Sequence, residues 1–103
     1  MDTLMIVKTL SNETRFNILE WLKEPEQHFG AQTRLPEGSN FNGGVCVGII
    51  AEKANLAQSV ISGYLATMLK AGLLESRRVG QWTYYRRDEA NIQRFKEIIM
   101  QQL

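Results

Sequence analysis

The side chains best placed to do chemistry in this sequence gather in two neighbouring sets. Gln58, Ser59, Ser62, Gly63 and Thr67 recur at helical steps, and Arg77, Arg78 and Gln81 follow soon after. On a helix the first set shares one side. Small polar groups there permit close approach to another surface, and a glutamine carboxamide matches the N6 and N7 edge of adenine in a DNA major groove. Guanidinium groups on an exposed turn suit phosphate contact or entry into a narrow minor groove. Glycine in mid-helix costs about 1 kcal/mol relative to alanine. At Gly63, close approach to a DNA backbone explains the cost, and tight packing against the protein itself explains it equally well.

The inventory for other chemistry is thin. With 1 Cys, 1 His and no glycine-rich phosphate loop, little remains from which to build a catalytic site. An enzyme is not expected, and no cofactor is implied. Cys46 and His28 are the candidates for an effector or redox site. Cys46 sits in an apolar run, where a small buried hydrophobe is the competing reading. Across a dimer, His28 and Cys46 are candidates for half of a metal site. A lone cysteine also rules out an internal disulfide framework, which fits a reducing cytoplasm.

The elements that position these residues can be read from periodicity and caps. Residues 2–9 form a short helix, with Leu4, Met5 and Val7 apolar. A second helix runs over about residues 12–23, capped by Ser11 or Asn12 and stopped by Pro25. Phe16, Ile18, Leu19 and Leu22 form its buried face. Residues 25–44 hold two prolines and four glycines with no sustained period, so they read as a loop longer than the usual helix connection of about 2–8 residues. His28, Phe29, Gln32, Arg34 and Phe41 give that loop the mixed aromatic and polar character of a small-molecule or partner-binding segment; a solvated insertion is the alternative. Val45–Ile50 fits a strand end or a helix start, and Ala51, Glu52 and Lys53 favour helix.

A further helix spans about residues 57–71, with Ile61, Leu65, Met68 and Leu69 as its buried stripe and Gly72 as a left-handed cap. The period then switches to two. Residues 74–79 and 81–87, rich in Val, Trp, Thr and Tyr and reversing at Gly80, form a β-hairpin. Trp82, Tyr84 and Tyr85 read as packing residues of that hairpin. A last helix from Asp88 to Leu103 carries the stripe Ile92, Phe95, Ile98 and Ile99.

The chain of 103 residues is 44% hydrophobic and 22% charged, as expected of one globular domain. No apolar run approaches the roughly 18–20 residues of a membrane span, and the first ten residues do not read as a signal peptide. The formal net charge is +1, but it is unevenly spread. Residues 1–52 hold four basic and seven acidic side chains, a net of −3. Residues 53–87 hold six basic side chains against Glu75 alone, a net of +5. The basic third contains both polar sets. Arg86 and Arg87, at its end, are placed to neutralise Asp88 and Glu89 rather than to reach phosphate.

A helix-turn-helix needs a small residue inside its first helix, a turn residue tolerant of the left-handed region, and an apolar residue to close the angle. Ala51, Asn55 and Ile61 satisfy all three, with Ile50, Leu56 and Leu65 filling the interior. The stretch VCVGIIAEKANLAQSVISGYLATMLKAGLLESRRVGQWTYYRRD, together with LSNETRFNILEWL before it, resembles the ArsR/SmtB family of winged helix-turn-helix regulators. Gln-Ser-x-x-Ser in the recognition helix, Leu-x-x-Ala-Gly-Leu after it and Gly-x-Trp-x-Tyr-Tyr in the wing carry the resemblance. It covers nearly everything except residues 25–44.

The resemblance implies a mainly α fold with a small β-hairpin wing, and a homodimer built from the first and last helices. It implies repression of transcription at an inverted-repeat operator in double-stranded DNA, with release by an effector. The departures are specific. Cys46 matches the first residue of the Cys-Val-Cys motif of arsenic- and cadmium-type sensors, but Gly48 replaces the second thiolate. The last helix offers Asp88, Glu89 and Glu97 but no histidine for a zinc-type site. The effector is therefore unidentified, and an obvious metal sensor is not expected. Ala57 replaces the serine that usually caps the recognition helix, at a cost of about 1 kcal/mol unless Gln58 or Ser59 compensates or the helix starts later. The alternative function is a winged-helix protein-interaction module without DNA binding.

Overall fold

The computed structural model describes residues 1–30, 35–36 and 38–103. Helix α1, Thr3–Leu10, starts at Asp2, whose carboxylate accepts from Met5 N–H at 3.0 Å. Helix α2, Glu13–Trp21, starts at Asn12, whose side-chain oxygen accepts from Arg15 N–H at 3.0 Å. Of the two capping candidates the structure uses Asn12. Ser11 instead closes α1, its hydroxyl donating to Lys8 O at 2.8 Å.

Pro25 does more than stop α2. It occupies the first turn of a short helix α3, Pro25–Phe29, where a missing N–H costs nothing and the fixed φ is already helical. The segment expected to be loop throughout 25–44 thus begins as helix, held by an edge-on contact of Phe29 with Trp21 (centroids 6.3 Å apart). Gln32 and Arg34, named with His28, Phe29 and Phe41 as a binding segment, lie outside the described residues.

The run from Val45 resolves into both of its readings. Val45–Cys46 is strand β1, and Val47–Ala54 is helix α4. Asn55 then takes the left-handed conformation, φ 55° and ψ 44°, which asparagine visits at modest cost. Helix α5, Gln58–Lys70, follows after three residues. It starts where the resemblance puts it, although Ala57 supplies no side-chain cap. Leu56 is not interior as expected; the turn swings it outward and leaves it 41% exposed. A Schellman motif ends α5, with Gly72 N–H donating to Leu69 O and Leu73 N–H to Met68 O, both at 3.0 Å. Gly72 has φ 82°.

Strands β2, Leu74–Val79, and β3, Trp82–Arg87, form the hairpin wing. Val79 pairs with Trp82 across a two-residue turn, and Gly80 at its first position has the positive φ, 63°, that such a turn demands. The expected hairpin is enlarged to a three-stranded sheet, order β1-β3-β2, because β1 adds antiparallel to β3. Helix α6, Glu89–Gln102, starts at Asp88, which accepts from Asn91 N–H.

The core joins every layer: Ile6 of α1, Ile18 and Leu22 of α2, Ile50 of α4, Ile61, Leu65 and Met68 of α5, Leu73, and Ile92 of α6. Side chains of this kind each contribute roughly 1.5–3 kcal/mol when fully buried. Several expected core positions are only partly covered. Phe16 is 45% exposed and Trp82 39% exposed, and Leu69, Phe95, Ile98 and Ile99 are half-buried. Among the described residues no helix is long and apolar enough to cross a membrane.

Candidate nucleic-acid interface

Burying Ile61, Leu65 and Met68 forces the opposite side of α5 outward, and Gln58, Ser59, Ser62, Gly63, Ala66, Thr67 and Lys70 are all exposed there. Ala66 and Lys70 extend the expected set, and their helical spacing from Ser59, Ser62 and Gly63 was the signal that predicts them. Gln58 opens the helix, with its side-chain oxygen beside Gly48 of α4: a Cβ placed on Gly48 would lie 3.8 Å from it. The Thr67 hydroxyl donates back to Gly63 O at 3.1 Å. At Gly63 itself an added Cβ meets nothing within 4 Å. Among the described residues, then, no packing contact accounts for a glycine at this position.

The wing places its two expected arginines differently. Arg77 pairs across the ladder with Tyr84, and Arg78 with Thr83, so strand alternation points them to opposite faces. Arg77 Nη1 donates to Ser39 O, and its guanidinium lies 5.1 Å from the centroid of the Phe41 ring. Arg78 is exposed, its Nε donating to Gly80 O at 3.2 Å. Gln81 is exposed at the tip. Lys53 and Arg15, elsewhere on the helical layer, cover the rings of Trp21 (5.7 Å) and Tyr64 (5.3 Å).

Arg86 and Arg87 are committed to intramolecular partners. Arg87 is 9% exposed; it pairs with Glu89 at 2.8 Å and donates to Leu19 O at 3.2 Å. Arg86 pairs with Glu75 rather than Asp88. The hydrogen bond from Arg87 holds the Glu89 carboxyl below the ordinary carboxylate range, against an opposing effect of burial. Burial raises the phenol of Tyr85 above its ordinary value.

The two candidate effector residues sit apart in chemistry. Cys46 is 1% exposed, on β1 opposite Tyr84, in a small cluster with Phe41 and Tyr84. His28, half-buried near the end of α3, lines a depression with Phe29, Ile49, Glu52 and Lys53, without Cys46. Among the described residues no group of three or more His, Cys, Asp or Glu side chains is disposed to hold a metal ion. Phe41, expected only as one of a loop's mixed side chains, is the residue on which Arg77 and Arg86 converge.

No family model matches the chain. It is similar to the uncharacterized HTH-type transcriptional regulator YbzH of Bacillus subtilis (strain 168), at 43% identity over 100 residues that cover 96% of each chain. Its structure is similar to the homodimeric winged helix-turn-helix DNA-binding domain Mb0332 of Mycobacterium bovis, a possible ArsR-family transcriptional regulator. That match has a TM-score of 0.66 at 25% identity and covers 96% of this chain and 77% of the other. The fold is also that of reduced HlyU of Vibrio cholerae, with a TM-score of 0.63 at 21% identity over 95% of this chain and 84% of the other.

Proposed function

Because the chain belongs to the ArsR/SmtB family of winged helix-turn-helix transcriptional regulators, we infer that it acts as a homodimeric repressor on an inverted-repeat operator. Helix α5 enters the major groove, where Gln58, Ser59, Ser62 and Thr67 meet base edges and phosphates. Arg78 and Gln81 reach the flanking backbone or minor groove from the wing, with Arg77 beside them on its inner face. The observation that carries this reading is the open space over Gly63. A glycine that costs helix stability and is required by no contact among the described residues suits a surface that must come close to a backbone outside the chain.

The dimer reading is supported by apolar surface that one chain leaves uncovered. A groove of about 460 Å³ between α1, α2 and α6 carries the exposed Phe16 and the half-buried Leu10 and Phe95 over the core residues Leu19, Leu73 and Ile92, with Glu20, Lys23, Arg87 and Lys96 as its charged lining. Leu4 and Val7 on α1 and Met100 on α6 are exposed as well. Exposed apolar side chains rimmed by charge mark an interface, and the M. bovis neighbour is itself homodimeric. Two-fold symmetry then sets two α5 helices about one DNA turn apart, roughly 34 Å. Derepression follows from an effector other than a soft metal on a Cys-x-Cys pair, since Gly48 stands at the second position.

Fluorescence anisotropy on the DNA upstream of the protein's own gene, across a salt series, tests the reading. Specific binding that weakens steeply with salt is expected, with a log–log slope of about −0.9 per phosphate neutralised. A folded dimer that binds no DNA at low salt overturns it and favours a protein-interaction module.

A further inference from the structure

Residues 38–46 fold along the flank of the wing instead of running free. Gly44 N–H donates to Phe41 O at 3.1 Å, and Asn40 and Gly43 have φ of 57° and 80°. These turns bring Phe41 back beneath the hairpin. A Cβ on Gly44 would come within 2.5 Å of the Phe41 ring, so only glycine leaves room for it. Strand β1 follows at once and locks the segment to β3, with Val45 opposite Tyr85 and Cys46 opposite Tyr84.

Phe41 is 2% exposed. It packs with Cys46 and Tyr84, and Val79 of the wing, Ile49 of α4 and Leu35 close the cluster. Two guanidinium groups cover its ring, that of Arg86 at 4.1 Å and that of Arg77 at 5.1 Å from the centroid. Both arginines also hold the loop backbone, Arg77 through Ser39 O and Arg86 through Asn42 O at 3.3 Å. The Phe41 ring is therefore where the wing, the loop and the first helix of the helix-turn-helix meet.

A two-stranded ribbon is marginally stable alone in water, so the angle between wing and recognition helix has to be set at the ribbon's base and flank. We propose that Phe41 is a positioning residue for DNA binding, its ring bracing the wing through Arg77 and Arg86 against α4 and so fixing Arg78 relative to α5. This role rests on the DNA-binding reading above. A wing held in place before DNA arrives avoids the cost of ordering it on binding.

The test uses the whole protein with Phe41→Leu, which keeps an apolar side chain in the cluster and removes the ring face. Amide hydrogen exchange without DNA reads the brace directly. The hairpin amides of residues 76–82 should exchange on the order of ten times faster, while those of α5 stay protected. Arg77→Gln, a change on an exposed side chain, should move the same amides in the same direction and covers the case in which Phe41→Leu fails to fold. Anisotropy then reads the consequence. Arg78→Ala should cost roughly tenfold in affinity in the wild-type background and less than about twofold beside Phe41→Leu, because a loose wing no longer presents Arg78. Unchanged wing exchange, or a full Arg78→Ala cost in the variant, overturns the brace. A wild-type protein that binds no DNA while the variant's wing exchange still rises overturns the DNA-binding reading, and the positioning role with it.

Discussion

Arg77 and Arg78 are adjacent in the chain and face opposite sides of the wing. Arg77, across from Tyr84, turns inward to Ser39 O and the Phe41 ring; Arg78, across from Thr83, stays exposed and donates within the turn to Gly80 O at 3.2 Å. Two like residues side by side on a strand thereby have unlike work. One is engaged with the protein, and the other is free to meet a polyanion.

The two alanine variants should separate accordingly. Arg78→Ala is expected to leave the thermal midpoint unchanged, weaken binding to all DNA sequences alike, and reduce the salt slope by about 1. Arg77→Ala should lower the midpoint and loosen residues 38–42, at a cost of about 1 kcal/mol or less for an exposed polar contact. Anisotropy and thermal unfolding of both variants check this. Equal effects of the two on stability would contradict the assignment of faces.

Gly63→Ala offers a sharper contrast, because folding and binding should respond with opposite sign. With nothing within 4 Å of the added methyl group, the free protein should gain up to about 1 kcal/mol from better helix propensity. Operator affinity should fall, since the same methyl group stands where the DNA backbone approaches. A variant that is both more stable and undiminished in DNA binding would place the duplex elsewhere on the molecule.

What could be read beforehand was mainly what is local. Asn55 in the left-handed turn, Gly72 closing α5 and Gly80 at the hairpin reversal each follow from a conformation that few residues adopt. The opposite faces of Arg77 and Arg78 were also implicit in strand alternation, once residues 74–79 were read as a strand. Strand β1 was legible only as one of two readings of Val45–Ile50, because two residues become a strand only through a partner roughly 40 positions away. Phe41 looked like one more aromatic residue in a glycine-rich loop, since its burial depends on Arg77, Arg86 and Tyr84, all distant in sequence. Phe16 and Phe95 followed the periodicity of core residues, yet one chain does not cover them fully, and no single-chain pattern distinguishes a core stripe from an interface stripe.

The Arg87–Glu89 pair gives the fold a modest acid sensitivity. The hydrogen bond from Arg87 depresses the Glu89 carboxyl below its ordinary value of 4.5. Its contribution to stability is therefore complete above that ordinary value and is lost as pH falls through the lower, folded-state value. Glu89 is 68% exposed on its side chain, which keeps the effect within the range of an exposed pair, about 0.2–1 kcal/mol. Glu89→Gln should lower the denaturation midpoint near pH 7 and converge with the wild type at strongly acidic pH. Parallel stability curves across that range would show that the pair contributes nothing to folding.

Phe16→Lys tests the dimer surface without asking the core to accept a charge. The Phe16 ring is 45% exposed and lines the groove between α1, α2 and α6, so a lysine there can keep its ammonium in water while its stem covers part of the same surface. In a two-fold dimer that brings this groove against its symmetry mate, each new charge would instead be buried or face its copy, and association is disfavoured either way. Analytical ultracentrifugation should show a folded monomer, with helical content unchanged by circular dichroism. Operator affinity should then fall steeply, since one α5 helix reads only half of the inverted repeat. A dimer that survives Phe16→Lys with undiminished affinity would move the interface off this groove, and the exposed Leu4 and Val7 of α1 would be the next positions to charge.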